Sequence, residues 1–208
     1  MSQWVGAAVP RKEDRRMLLG RGRFVADLDR PGLLHAAFVR SPHAHAGIGA
    51  IDTAAAAELP GVHGVFTAAS LGHPYLLALL ERDEFAPTPM PILAGEAARF
   101  VGEPVAVVVA EDPYLAEDAA ELVEVDWDPR PPVTSIDAAG SRDAPRLHEQ
   151  AAGNRLVDLL MFDDDSLPAI FAAAAVAVGG TFASARVAAL PLEGVPAWPN
   201  GTTATTSS

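Results

Sequence analysis

The stretch Arg99–Asp128, RFVGEPVAVVVAEDPYLAEDAAELVEVDWD, decides how the rest of the chain is read. Val105 to Ala110 is an unbroken apolar run rich in valine, the composition of a strand covered on both faces, with Val107 at its centre. Asp112-Pro113 then forms a helix start, an aspartate at the N-cap and a proline at the first helical position. The alanine-rich segment to Leu122 places Leu115, Ala119 and Leu122 at helical spacing and leaves Glu117, Asp118 and Glu121 to solvent. Val123, Val125 and Trp127 then alternate with Glu124, Asp126 and Asp128, which is a strand with one wet face. The stretch is a strand–helix–strand unit and holds no catalytic dyad.

Upstream the same order recurs. Ile48 to Ile51 reads as a strand, Asp52 as an N-cap, Thr53 to Leu59 as a short helix, Pro60-Gly61 as a stop and Val62 to Thr67 as a strand. The two units share a pattern and not a sequence, so they form a pseudo-repeat. Before them, Gly20 and Gly22 lead into a first strand at Phe24-Val25-Ala26, and the Pro31-Gly32 turn leads into a second at Leu33 to Val39. Gly20-Arg21-Gly22 lacks the third glycine and the preceding strand of a dinucleotide loop. Residues 1–19, with the charge run Arg11 to Arg16, read as a surface arm or a short helix.

Other segments carry less. His73 to Ala98 holds Pro74, Pro87, Pro89 and Pro91 and a Leu76–Leu80 run, and reads as a solvated connection with one helical turn. Pro129 to Pro132 ends the second unit, and Thr134 to Gln150 is polar and loop-like. Asp163-Asp164-Asp165-Ser166 precedes a helix expected over Leu167 to Ala175, whose start tolerates Pro168. Val176, Val178 and Phe182 suggest a strand after it.

Composition narrows the function. The chain has 208 residues, enough for one well-packed domain and part of another. Its net charge of -12, from 27 acidic and 15 basic side chains, argues against nucleic acid, which needs a clustered cationic face. The longest apolar run, Ala169 to Val178, is far short of the roughly 20 residues of a membrane span. The amino-terminal charges have no apolar core behind them, so no secretory signal is expected and the cytoplasm is the default. With no cysteine, the chain offers no disulfide, thiolate nucleophile or iron–sulfur ligand. His43 and His45 would share a face if extended, but zinc needs a third ligand and none is near in sequence. The three aspartates at 163–165 diverge as consecutive residues, and helix-start electrostatics explains them more simply than a cation does.

Three strings carry a resemblance. VGAAVPRKEDRRMLLGRGRFVADLDRPGLLHAAFVRSPHAHAGIGAID, PGVHGVFTAASL and RFVGEPVAVVVAEDPYLAEDAAELVEVDW, in that order, closely resemble the start of the large subunit of molybdenum hydroxylases, the family of xanthine dehydrogenase, aldehyde oxidase and aerobic carbon monoxide dehydrogenase. The resemblance implies an α+β fold: an α/β hammerhead built from the two strand–helix–strand units. On that reading residues 1–19 are an amino-terminal arm, 20–150 the hammerhead, and 151–208 a truncated beginning of the molybdopterin-binding domain. The later part resembles the family more weakly, through HEQAAGN and GGTFASARVAALPLE.

In the family the complete large subunit binds molybdopterin, commonly as a cytosine dinucleotide, and hydroxylates carbon with water-derived oxygen. Iron–sulfur and FAD subunits carry the electrons away. The cofactor loops and catalytic residues lie downstream of the hammerhead. No catalytic, cofactor-binding or metal-ligating residue is therefore assigned here, and the chain alone is expected to be inactive. Its expected partners are the molybdopterin-binding remainder and the iron–sulfur and FAD subunits. The loop from about Leu76 to Leu93 corresponds to one that borders the family's substrate funnel. Two departures stand out: Pro191-Leu192-Glu193-Gly194 runs into Val195 without the usual Arg-Gly pair, and Thr205 replaces a tryptophan. They keep open the alternative of an orphan, non-catalytic domain or truncated product that at most binds partners of the parent complex.

Overall fold

The computed structural model describes residues 5–28, 30–76, 82–86, 88–151, 153–159, 164–182 and 184. It divides into two compact units, Met1–Pro31 with Val178–Ser208, and Gly32–Ala177. The Leu76–Leu80 run beyond its first residue, Asp163 and the family strings after Ser184 fall outside the described residues.

In the first unit α1 spans Asp14–Leu18 and buries no residue. Asp14 starts it by pairing with Arg11 at 3.2 Å. The strand expected at Phe24-Val25-Ala26 is instead a 3-10 turn over Val25–Asp27. The Asp27 carboxylate accepts the Phe24 N–H at 2.9 Å, and a local side-chain acceptor of this kind favours a turn over a ladder. The strand expected around Val176 to Phe182 does not form; Val178 and Phe182 in this unit are almost fully exposed.

The second unit holds β1 (His35–Arg40), β2 (Ala46–Asp52), α2 (Ala54–Ala57), β3 (Val62–Thr67), β4 (Tyr75–Leu76), β5 (Met90–Pro91), β6 (Ala97–Ala98), β7 (Pro104–Ala110), α3 (Pro113–Glu121), β8 (Glu124–Pro129), α4 (Ile136–Gly140) and α5 (Leu167–Ala173). β7 is the centre of one sheet, antiparallel to β1 and β3. β2 is the centre of a second, antiparallel to β6 and β8. The expected units are present as β2–α2–β3 and β7–α3–β8, but each helix carries the chain from one sheet to the other. The units interlock: the last strand of the first pairs with the first strand of the second, and the outer two strands pair likewise.

Helix starts follow the local chemistry. The Asp112 carboxylate accepts the N–H groups of Tyr114 at 2.9 Å and Leu115 at 3.0 Å, with Pro113 at the first position. At α2 the cap is Thr53, and Asp52 reaches past it to accept the Ala54 N–H at 2.9 Å. Pro60 follows closely, so α2 is one turn rather than the expected seven residues.

The core is Ala56, Ala106, Val108, Ala119 and Val123, with Val39, Ile51, Val65 and Val125 packed around it. The buried stripe of α3 is Ala116 and Ala119; the expected Leu115 is half-buried and Leu122 is 42% exposed. Alanines let the helix approach β1 and β7 closely, which turns the leucines to the margin. β7 is not covered evenly on both faces as expected. Ala106, Val108 and Ala110 on one face are fully buried, whereas on the other Val105 is buried and Val107 and Val109 are half-buried.

Two loop expectations change. The end of the 73–98 connection is core rather than solvated: Leu93, Ala94, Ala97 and Ala98 are buried, β4 pairs with β5, and β6 joins β2. Within Thr134 to Gln150, α4 is capped by Ser135, whose hydroxyl accepts the Ala138 N–H at 3.1 Å. α5 ends at Ala173 and has no buried residue.

Candidate functional site

The turn between β6 and β7, Arg99 to Glu103, is the most tightly specified polar feature. Gly102, at φ +89°, adopts a conformation that side-chain-bearing residues rarely do. Its N–H donates to the Ser41 carbonyl at 2.8 Å, and the Ser41 N–H donates to the Glu103 carbonyl at 2.9 Å. The buried Glu103 carboxylate accepts the Arg99 N–H. Arg99 then reaches away, donating from Nε to the Leu147 carbonyl at 2.8 Å and from Nη1 to the Ala97 carbonyl at 3.2 Å. One arginine thus ties the segment after α4 to the sheet. Next to it, His148 sits below its ordinary pKa of 6.5, because partial burial, and then the Arg99 charge, disfavour the imidazolium. These groups hold backbone; none is an acid–base pair facing a substrate space.

An open cleft of about 860 Å³ lies beside them. One wall is Asp83 to Ala86, from the loop expected at 76–93, and the other is α4 and the 153–158 segment. The walls are joined by the bridge between Phe85 and Val157 and by the Ala86 N–H to Leu156 carbonyl bond of 2.8 Å. Asn154 clasps its side of the cleft: its carbonyl oxygen accepts the Leu147 N–H at 3.1 Å and its amide donates to the Pro145 carbonyl at 2.9 Å. Sequence reading missed this clasp because its partners are backbone groups with no side-chain signature.

The structure separates the two candidate histidines. Residues 42–45 form bends before β2, so His43 and His45 do not share a strand face. His45 is buried with Nδ1 2.9 Å from the Pro131 carbonyl oxygen. His43 meets Trp127 edge-on at 5.5 Å between ring centroids. Of the aspartates, Asp164 has its pKa lowered first by a hydrogen bond with the Ser166 side chain and then by one from the Ser166 N–H at 2.8 Å. Among the described residues no three histidine, aspartate or glutamate side chains are grouped to hold a metal ion.

These residues do not fit a pyrophosphate-bearing molybdopterin. The cleft presents Asp83, Glu84 and Asp158, and Arg155 is committed to Asp158 at 2.7 Å. Carboxylates at that density repel a dinucleotide, which needs N–H donors or cations around its phosphates. Cofactor binding is therefore not assigned to the described residues.

Known proteins explain the arrangement. The family model for the aldehyde oxidase and xanthine dehydrogenase a/b hammerhead domain matches residues 19–131. This chain belongs to that family, the hammerhead domain of molybdenum hydroxylase large subunits. The carbon monoxide dehydrogenase large chain of Afipia carboxidovorans is 40% identical over 203 residues, which are 92% of this chain and 25% of that one. The crystal structure of quinoline 2-oxidoreductase from Pseudomonas putida 86 superposes with a TM-score of 0.73 at 44% identity, over 84% of this chain and 22% of that one. Cu,Mo-CO dehydrogenase does so with a TM-score of 0.67 at 41% identity, covering 82% of this chain and 23% of the other. The chain spans about a quarter or less of the length of the curated relatives it matches.

Proposed function

We propose that this chain is the hammerhead portion of a molybdenum hydroxylase and works only with a cofactor-binding remainder supplied by another chain. The observation that carries this is the match to the hammerhead family over residues 19–131 in a chain that covers 25% of a 40%-identical relative. On this reading residues 1–19 are an arm, 20–150 the hammerhead and 151–208 the start of the molybdopterin-binding domain. The complete enzyme holds molybdopterin of the cytosine dinucleotide type, passes electrons through iron–sulfur and FAD subunits and resides in the cytoplasm. Among the described residues no helix is long and apolar enough to cross a membrane. The 76–93 loop, whose Asp83 to Ala86 portion forms a cleft wall, borders the substrate route in the assembled enzyme.

The departures at Glu193-Gly194-Val195 and Thr205 favour a second reading, an orphan domain that binds parent-complex partners without contributing to turnover. Two experiments test the proposal, and the second separates the readings. The purified chain should contain no stoichiometric molybdenum by elemental analysis and show no turnover of purines or aldehydes with an artificial electron acceptor. Replacing the matching quarter of the Afipia carboxidovorans large chain by this chain should restore a soluble, molybdenum-containing assembly. Molybdenum or turnover in the isolated chain overturns the proposal, and a chimaera that neither assembles nor holds molybdenum favours the orphan.

A further inference from the structure

Among the described residues the sheet β1–β7–β3 has one covered face and one half-open face, on which Val105 is buried and Val107 and Val109 are half-buried. Ala37, Val108 and Val65 stand opposite one another on the covered side, and Val65 and Val108 join the core beneath the helices. Phe38, Val107 and Phe66 stand opposite one another on the other side, where Phe38 is 47% and Phe66 37% exposed. The next row, Ala36, Val109 and Gly64, is small. Gly64 is small for a reason: a Cβ there would lie 2.9 Å from Cζ of Phe66, whose ring covers it. The result is a low apolar platform across three strands. Arg40 borders it, its guanidinium carbon 5.2 Å from the Phe38 ring centroid and its Nη1 donating to the Gly102 carbonyl at 2.9 Å. Among the described residues Arg40 makes no ion pair.

We infer that this platform is a docking surface for the remainder of a molybdenum hydroxylase large subunit, taking an amphipathic segment that lays apolar side chains across Phe38, Val107 and Phe66 and sets a carboxylate against Arg40. The inference rests on the reading under Proposed function. Three observations favour this occupant. The unbroken run Val105 to Ala110 is the composition of a strand covered twice, yet among the described residues its second face is covered only at Val105, with Val107 and Val109 half-buried. The chain accounts for 25% of a relative 40% identical to it, so three quarters of such a subunit is there to supply the cover. The cation at the platform's edge asks for an acidic group, because a guanidinium brought into an apolar interface needs a partner.

The test uses the absence of cysteine from the chain. Val107→Cys places one thiol on the platform, and its modification by iodoacetamide is followed by peptide mass spectrometry in the isolated chain and in the Afipia carboxidovorans chimaera. The thiol should react readily in the isolated chain and at least about tenfold more slowly in the chimaera, as burial of a reactive side chain requires. Phe38→Ser with Phe66→Ser should abolish most binding of an apolar dye by the isolated chain and lower the chimaera's Tm more than the chain's. Arg40→Met, which keeps the contact with Phe38, should also lower the chimaera's Tm selectively. An assembled, molybdenum-containing chimaera whose thiol reacts as fast as in the isolated chain overturns the docking site alone. A thiol protected in an isolated chain that runs as a dimer assigns the platform to a second copy and also overturns it. A chimaera that fails to assemble overturns the functional reading, and the inference with it.

Discussion

At the scale of single residues, two neighbouring valines carry opposite consequences. Val108 is completely buried against Ala56, Ala106 and Ala119, and burying such a side chain stabilises by about 1.5–3 kcal/mol. Val108→Asp also forces an unpaired carboxylate into that space, at a cost of several kcal/mol against a total stability of about 5–15 kcal/mol. Thermal scans should show no cooperative transition. Val107→Asp, on the half-open face, should keep one, whereas the bare apolar run makes Val107 look equally critical. His148 gives a pH signature. Its folded pKa lies below 6.5, so the unfolded chain takes up the proton first as pH falls. The histidine's contribution is present above about pH 6.5 and is lost as pH drops through the folded value. His148→Gln should therefore lose less Tm than the wild type between about pH 7.5 and about pH 5, and equal slopes would refute the assignment.

At the scale of elements, α3 is held at its start by one side chain. Asp112 satisfies two N–H groups that the helix leaves unpaired, and α3 packs on both β1 and β7. Asp112→Ala should cost about 1 kcal/mol, within a range of about 0.5–2, read as a lower urea midpoint with an unchanged slope. The equivalent change at Asp52 should cost less, since Asp52 meets only the Ala54 N–H of a one-turn helix. Identical losses at the two sites would show that the caps do not track the lengths of the helices they serve.

At the scale of the molecule, protease sensitivity should follow backbone anchoring. The domain boundary expected from the sequence after residue 150 would put a first cut between Gly153 and Leu167. Asn154, Leu156 and Val157 are anchored by the clasp and the bridge to Phe85, which moves the first cut later. α5 buries nothing and offers little protection. Limited proteolysis should cut between Leu159 and Ala174 and leave an ordered fragment ending near Asp158. A first cut before Asn154 would show that the clasp does not hold this segment to the sheet.

What the sequence determined by itself is local. Asp112-Pro113 starts α3, Pro60-Gly61 stops the chain before β3, and the alternation from Glu124 to Asp128 marks β8, because each is set by groups a few residues apart. The three quoted strings likewise sufficed for the family, since their order and spacing are properties of the chain. Only the tertiary structure decided which strands pair: β7 takes β1 and β3, while β8 goes to β2 in another sheet. It also decided that His45 binds the Pro131 carbonyl 86 residues away rather than a metal beside His43. An apolar run reports that a strand is buried without reporting what buries it. Phe38 and Phe66 read in the sequence only as members of strand candidates, and the pairing across β7 is what puts both on the half-exposed face of the sheet.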